Sequence, residues 1–543
     1  MKSEMSEFAK TVLAQKYLHD GETWEDLTNS VTKNVFKSVG AHKDLVSQVQ
    51  QFIFARKFMP GGRYLYAAGL PYHMVCNCLM MRADDSREGW ADLMYRNSMS
   101  LMSGGGVGTD YSSIRAEGKP IRKTRGTASG PIALMQMSNE VARGIQQGGN
   151  RRAAQWAGLK WSHADIMKFV ELKNWIPEVR AMKAKDFNFP ATMDGTNISV
   201  QLDDEFFKSF DEDKHTHHTQ AHMVYWATIE RMLKTGEPGF SIDTGKNRKE
   251  TLRNACTELC SEDDSDICNL GSINLARIES LEEMKTVVEV ATAFLLAGTV
   301  YSDVPFAKVD TVRTKNRRLG LGLMGVHEWL LRHDKKYGID SDLDEYLKIY
   351  ATSDDAAAKY AKEWDLSCPV KTRAIAPTGT ISIIGETSSG LEPIFCAAYK
   401  RRYLKGSNWH FQYVLDPTAK ILAEAGINPD DIEDAYVLAE DVERRLAFQA
   451  HVQKYVDHAI SSTINLPQWG SELNNTANVQ KFGKLLIKYL PHLRGITVYP
   501  DGARSGQPLT PIKFSTAAKH LGETFLEAGD VCEITGKGGS CGG

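Results

Sequence analysis

The pentapeptide Asn254-Ala255-Cys256-Thr257-Glu258 sets a thiol between an amide and a carboxylate, each two residues away. In a tight extended loop, residues i and i+2 project to the same side. Asn254, Cys256 and Glu258 are therefore expected to face one substrate together. A thiol is a hydrogen-atom donor and a carboxylate is a base, so the trio suits chemistry that moves hydrogen atoms and protons. The alternative is a buried, unreactive cysteine beside two polar loop residues.

Three other patterns invite chemistry and read more simply as structure. Cys256, Cys260 and Cys268 follow C-x3-C-x7-C, which is looser than a radical-generating iron–sulfur triplet. His215, His217, His218 and His222 have spacings that zinc could use, but the stretch is highly charged and has no cysteine nearby. It reads as a solvated loop running into a helix. Gly320-Leu321-Gly322-Leu323-Met324-Gly325 spells GxGxxG. The preceding RTKNRRL is too basic for the buried strand a dinucleotide site needs, so these glycines are expected to serve close packing or a turn.

The elements that must position these residues alternate along the chain. Residues 7–50 read as helical: EFAKTVLAQKYL, and later LVSQVQQFIFARKF running on to residue 58, carry apolar residues at helical spacing. Further on, NISVQL reads as a short strand, and LEEMKTVVEVATAFLLAG and AEDVERRLAFQAHVQKYVDHAI read as helices. Such a mixture argues an α/β fold. The apolar run VATAFLLAGTVYS is shorter than a bilayer span, and MKSEMSEFAK has no apolar signal core. Lys+Arg 65 against Asp+Glu 68 in 543 residues gives a net charge of −3, which supplies no electrostatic footprint for nucleic acid or an anionic membrane. Nine cysteines are too few for a disulfide scaffold and point to a reducing, cytoplasmic setting. The last of them, Cys532 and Cys541, lie in a glycine-rich end, GDVCEITGKGGSCGG, expected to be mobile.

Further stretches complete the set: Asn77-Cys78-Leu79-Met80-Met81-Arg82-Ala83-Asp84-Asp85-Ser86, Gly104-Gly105-Gly106-Val107-Gly108, Cys268-Asn269-Leu270-Gly271-Ser272, Ala376-Pro377-Thr378-Gly379-Thr380-Ile381-Ser382 and Gly390-Leu391-Glu392-Pro393. With the Asn254–Glu258 motif in its place among them, this series resembles the catalytic subunit of ribonucleotide reductases, and more closely the adenosylcobalamin-dependent (class II) branch. The similarity covers roughly residues 50 to 510. It implies a ten-stranded α/β barrel of two five-stranded halves with a central finger loop. The expected division is an N-terminal helical segment over 1–50, the barrel over 51–515, and a flexible redox tail over 516–543.

The resemblance also implies roles. Cys256 is expected to carry a thiyl radical, Glu258 to act as base for the ribose 3′ hydroxyl, and Asn254 to hydrogen-bond within the site. Ala255 stands where the family has proline. Cys78 and Cys268 are the expected reducing pair, with Cys76 a rival for the first position. Cys532 and Cys541 are expected to re-reduce that pair and to meet a thioredoxin-like reductant, although their C-x8-C spacing is wider than in relatives. Thr378, Gly379 and Thr380 are expected to hold substrate phosphates, and Tyr111 and Ser112 to line ribose and base. Asp85 and Arg122 are expected to meet a deoxynucleotide or ATP effector, with 149–153 as the coupling loop and a homodimer as the assembly.

The branch follows from what relatives of other classes carry. The stretch Thr497-Val498-Tyr499-Pro500 has a single tyrosine where class I subunits have a pair, and the terminal glycines lack the class III context. Adenosylcobalamin is the cofactor that remains. Asp213-Lys214-His215 starts like the DxHxxG cobalamin motif of other enzymes, but His218 takes the glycine position, and that motif fails. No protein-held metal site is expected. The alternatives are a class I-type large subunit that needs a separate radical-generating protein, and an inactive nucleotide-binding regulatory homologue.

Overall fold

Three helices open the chain: α1 (Glu7–Lys16), α2 (Trp24–Lys37) and α3 (Lys43–Phe54). This computed structural model describes residues 5–526 apart from 149–150, 187, 213–218, 406–407, 425, 427 and 504–508. Cys532, Cys541, His215, His217, His218 and the start of the 149–153 loop therefore lie outside the described residues. α2 begins with a capping box, in which Thr23 Oγ1 accepts from Asp26 N at 3.2 Å and Asp26 Oδ2 accepts from Thr23 N at 3.0 Å. Its apolar stripe, Leu27, Val31, Val35 and Phe36, is buried against α4 (Leu281–Tyr301). Each such side chain is worth about 1.5–3 kcal/mol on burial. α4 has 21 residues, long and apolar enough by composition to cross a membrane, where the apolar run alone read as too short. It is instead the central core helix, buried from Val287 to Thr299 on nearly every face.

Ten strands make the main sheet: β1 (Phe58–Pro60), β2 (Cys78–Arg82), β3 (Gly106–Asp110), β4 (Gln155–Lys160), β5 (Thr196–Asp203), β6 (Gly239–Asp243), β7 (Asp266–Asn274), β8 (Leu319–Met324), β9 (Thr463–Leu466) and β10 (Gly495–Pro500). β2 to β6 run parallel in sequence order and form one five-stranded half. β6 meets β10 antiparallel, and β10 meets β9 in parallel. β7 pairs with β8 in parallel and with β2 antiparallel. Between β8 and β9 lies a segment too irregular to form a ladder, bridged by Leu321 to Arg373 and by Ile375 to Ile460, both in parallel. Counting that segment, the second half also has five strands and the ring closes. β1 stands outside the ring as an antiparallel addition along the far end of β7. The barrel of two five-stranded halves is thus the fold adopted.

The GxGxxG glycines are part of this ring. A Cβ on Gly322 would lie 2.6 Å from the Ala374 carbonyl oxygen, and one on Gly320 would lie 2.4 Å from Leu270 Cδ2. They let neighbouring segments approach, and Gly325 (φ 73°) makes the turn into the next helix. The basic RTKNRRL belongs to a helix, Ala307–Asn316, and the turn after it. His222 is buried and stacks on Phe210 with ring centroids 4.1 Å apart. A second unit, 396–432 with 506–543, carries a four-stranded antiparallel sheet ordered 509–511, 398–405, 408–415, 524–526.

Candidate active site

A hairpin runs through the barrel. Leu252–Arg253 pairs antiparallel with Cys260–Ser261, leaving residues 254–259 as its tip. Its base is fastened by charge. The buried Arg253 guanidinium lies 2.5 Å from Asp243 Oδ1 on β6 and also donates to the Arg494 carbonyl at 3.3 Å. Glu250 takes Lys371 Nζ at 2.6 Å and Arg494 Nη1 at 3.2 Å. Removing one partner of such a buried pair typically costs about 3–5 kcal/mol. The hairpin fits because β3 is glycine-rich. A Cβ on Gly108 would sit 1.8 Å from the Arg253 carbonyl oxygen, and one on Gly106 would sit 3.2 Å from Ala255 Cβ. From the facing strand, Asn197 Nδ2 donates to the Ala255 carbonyl at 3.3 Å.

The tip is a turn, not the extended loop expected from the sequence. Thr257 N donates to the Asn254 carbonyl at 3.1 Å, and Thr257 itself has φ 69°. This reversal folds Glu258 back, so that Asn254 Nδ2 donates to Glu258 Oε1 at 2.9 Å. Asn254 Oδ1 accepts from Leu259 N at 3.1 Å, which fixes the amide's orientation. Asn254 and Glu258 are buried, whereas Cys256 is exposed. Glu258 Oε2 has no partner among the described residues. Burial pushes the Glu258 carboxyl up to about 7, against a weaker opposing pull from the Asn254 hydrogen bond. The Cys256 thiol is open on one side, yet the protein around it and the Glu258 charge push it up. It therefore stays S–H at neutral pH, the form a hydrogen-atom donor needs.

Cys78 on β2 and Cys268 on β7 are register partners, directly opposite each other. Cross-strand neighbours have Cβ atoms about 4.5–5.5 Å apart, close to the separation a disulfide bridges. Both are free thiols here. Burial pushes both well up, and for Cys78 the nearby Glu258 and Cys256 add to the shift while Asn254 opposes it. The same neighbours place Cys78 beside the finger tip. Cys76 packs elsewhere, its Sγ 3.8 Å from the Gly298 carbonyl on α4 and its amide on Ser302 Oγ at 3.0 Å.

The remaining candidates are spread wider. Ser112 Oγ donates to Gln201 Oε1 at 2.7 Å, and Gln201 Nε2 holds the Thr251 carbonyl at the finger's base, also at 2.7 Å. Tyr111 turns the other way. Its ring is in the core outside the barrel, and its hydroxyl is 2.9 Å from Ser138 Oγ on helix Gly130–Gly144, so it does not reach the finger. The reason is strand alternation: Gly106, Gly108 and Asp110 face inward, which sends Tyr111 outward. Thr378, Gly379 and Thr380 follow the irregular tenth strand. Thr378 (φ 51°) is buried and accepts from Gly390 N at 2.8 Å, while Gly379 is exposed. Asp85 is held by Arg115 at 2.7 Å, and Arg122 is exposed at the turn after Pro120–Ile121. Arg253, Asp243, Gly108 and His458 shape the site and had no local signal beyond the glycine run.

A thiol-tipped loop threaded through a closed α/β barrel, with a cross-strand dithiol beside it, defines a barrel protein with three thiols gathered at one site. The profile of the family described as "Ribonucleotide reductase, barrel domain" matches residues 76–227, 212–364 and 370–499. The chain belongs to that family. It is 28% identical over 529 residues to a vitamin B12-dependent ribonucleoside-diphosphate reductase of Thermoplasma acidophilum, covering 86% of this chain and 66% of that one. It is 27% identical over 584 residues to the protein of the same name from Mycobacterium tuberculosis, covering 93% and 81%. It is 28% identical over 335 residues to the ribonucleoside-diphosphate reductase large chain of Schizosaccharomyces pombe, covering 53% and 41%. The chain thus spans just under two thirds of the first relative's length and about four fifths of the second's.

Proposed function

We propose that this chain reduces ribonucleotides to 2′-deoxyribonucleotides, with adenosylcobalamin as its radical source. The observation that carries the reading is the register pairing of Cys78 with Cys268 beside the finger tip that bears Cys256 and Glu258. A radical formed on Cys256 Sγ takes the ribose 3′ hydrogen. Glu258 takes the 3′ hydroxyl proton, its carboxyl aimed by Asn254. The 2′ hydroxyl leaves as water with a proton from the dithiol, whose two electrons complete the reduction and leave a Cys78–Cys268 disulfide. Cys256 then gives its hydrogen back to the 3′ carbon, which restores the radical on its sulfur, and Glu258 returns the proton to the 3′ oxygen. The three raised thiols suit this order, because each must still carry its hydrogen when the ribose arrives.

What the cofactor supplies when bound is a radical made by breaking its own cobalt–carbon bond. Cys256 fits such a source, being the exposed member of an otherwise buried trio, and it is the residue that would face the group. Identity over long matches favours the cobalamin branch over a class I-type subunit: the relatives named for vitamin B12 are 27–28% identical along 86–93% of this chain, and the large subunit of Danio rerio is 24% identical along 90% of it. In this reading Thr378, Gly379 and Thr380 hold the phosphates of a di- or triphosphate and Ser112 borders the ribose. Asp85 and Arg122 take a deoxynucleotide or ATP effector in a homodimer, and Cys532 and Cys541 pass electrons from a thioredoxin-like protein.

The test is an anaerobic assay of the purified chain with the four ribonucleotides, effectors and dithiothreitol, with and without adenosylcobalamin. Deoxyribonucleotide formed only with the cofactor is the expected result. Product that appears only when a separate radical protein is added would replace the cobalamin reading with the class I-type one.

A further inference from the structure

The finger tip is held from behind by one short segment, residues 458–459. Ala459 N donates to the Glu258 carbonyl at 2.8 Å. One residue earlier, His458 Nδ1 accepts from Cys260 N at 3.1 Å. The same histidine is fixed through its own backbone: its N–H donates to the Arg373 carbonyl at 3.1 Å, and its carbonyl accepts from Gln453 Nε2 at 3.0 Å. Its ring is completely buried, and Nε2 has no partner among the described residues. An imidazole that receives an N–H at Nδ1 carries its one hydrogen on Nε2 and is neutral. Burial first, and then the cations Arg318, Lys371, Arg494 and Arg253 around it, keep it that way.

We infer that His458 is a positioning residue for the reactive loop: its Nδ1 fixes the returning arm at Cys260, and so sets where Glu258 stands relative to Cys256. Two clamps act two residues apart on the strand that leads out of the tip. With both in place, the backbone is held at Glu258 and at Cys260, on either side of the Leu259 amide that orients Asn254. With the His458 clamp gone, Ala459 is the one hold left from behind, beside the pairing with Leu252–Arg253 and the Leu259 bond to Asn254, and the carboxyl gains freedom at the point where placement decides rate. A misplacement of about 1 Å in such a site can cost on the order of 10²-fold in turnover. Nothing in this argument has the imidazole touch substrate. It acts through the backbone amide of Cys260.

The inference rests on the finger being the reactive loop, and the test separates the two. An asparagine at 458 puts Oδ1 where Nδ1 stands, whereas a glutamine carries its oxygen one methylene further and a leucine has none. His458→Asn is expected to keep kcat within about 3-fold of the native chain. His458→Gln and His458→Leu are expected to lower kcat by about 10- to 100-fold with KM changed less than about 3-fold. Amide hydrogen exchange of the peptide spanning 252–261 gives a readout independent of activity: it stays slow in His458→Asn and quickens in the other two. Equal exchange in Asn and Gln variants overturns the positioning role, as does equal kcat for the two. If the native chain makes no product in the same assay, the proposed function falls, and the exchange ranking alone decides the role of His458. Should His458→Leu fail to fold, the Asn–Gln pair carries the comparison unaided.

Discussion

The finger and the PTGTIS turn are both irregular loops inside one barrel fold, and they are built in opposite ways. Behind the exposed Cys256 the finger is closely packed: Gly108 has no room for a single carbon, Arg253 is fully buried against Asp243, and Asn254 and Glu258 are buried together. At the turn, a Cβ added to Gly379 meets nothing within 4 Å, and Pro377 and Gly379 are exposed. The difference separates two tasks. Groups that react must be held within fractions of an ångström of their productive places. A turn that receives a phosphate does best left open, with its backbone amides free to meet the anion. On the proposed function, rigid placement is concentrated where hydrogen atoms and protons move.

The largest effect that sharpens this contrast is at the tip. Cys256→Ser is expected to leave no measurable turnover while nucleotide binding, followed by calorimetry, stays native-like. The O–H bond is too strong to be exchanged for a ribose C–H bond in this way. Surviving turnover would remove the finger from the chemistry altogether.

Next in size is a matched glycine pair. Gly108→Ala must move the Arg253 carbonyl or β3 itself, a strain of about 1–3 kcal/mol or more. It is expected to lower the melting point and to cut kcat, because the hairpin shifts as a unit. Gly379→Ala enters open space and is expected to change stability by less than about 0.5 kcal/mol. Its effect belongs in KM for the nucleotide. Equal melting points for the two variants would break the comparison, since the filled and open loops would then be packed alike.

How much of this was legible beforehand depended on the range of the interaction. Asn254, Cys256 and Glu258 could be picked out because they lie within five residues, yet the reason they meet was misread. A positive φ at Thr257 and a reversal, not an extended strand, bring the amide to the carboxylate. The pairing of Cys78 with Cys268 came from resemblance alone, for register across 190 positions has no local trace. The tenth strand was invisible because Arg373 and Ile375 make isolated bridges without a ladder. Arg253 and His458 were invisible for a different reason. A buried arginine and a neutral histidine look like any surface residue until the partner carboxylate or amide is known. The glycines of residues 104–108 were noticed as a motif, but the cause of Gly106 and Gly108 is a hairpin contributed from more than 140 positions away, and that of Gly104 and Gly105 is the close approach of Arg63 and Leu79.

A smaller effect probes the electrostatics of the filled loop. With its carboxyl raised to about 7 by burial, Glu258 is half ionised near neutrality. As a base it must be ionised, so kcat/KM is expected to rise with pH through about 7 and then level off, the thiols remaining protonated beyond it. Glu258→Gln is expected to remove the rise and lower turnover by about 10²–10⁴-fold. Stability carries the opposite sign. A carboxyl that binds its proton more tightly in the folded chain than at the ordinary 4.5 stabilises fully below 4.5, and that contribution is lost as pH climbs through about 7. A flat rate profile between pH 6 and 8 would mean that Glu258 is not buried during turnover.

The smallest effect concerns electrons that come from outside the barrel. Cys78 and Cys268 are buried side by side, so a disulfide between them is shielded from a large protein reductant but open to a small one. A pair of thiols on a glycine-rich chain end is suited to bridge that gap, which is the task proposed for Cys532 and Cys541. Replacing both with serine is expected to leave turnover with dithiothreitol unchanged and to lower it at least about 10-fold with thioredoxin, because exchange requires a thiolate to reach the buried sulfur. The double variant also tests how closed the filled region is. If thioredoxin supports the variant as well as dithiothreitol does, the barrel opens far enough during each cycle for a folded protein to reach Cys268. The packing around the finger would then describe only the resting enzyme.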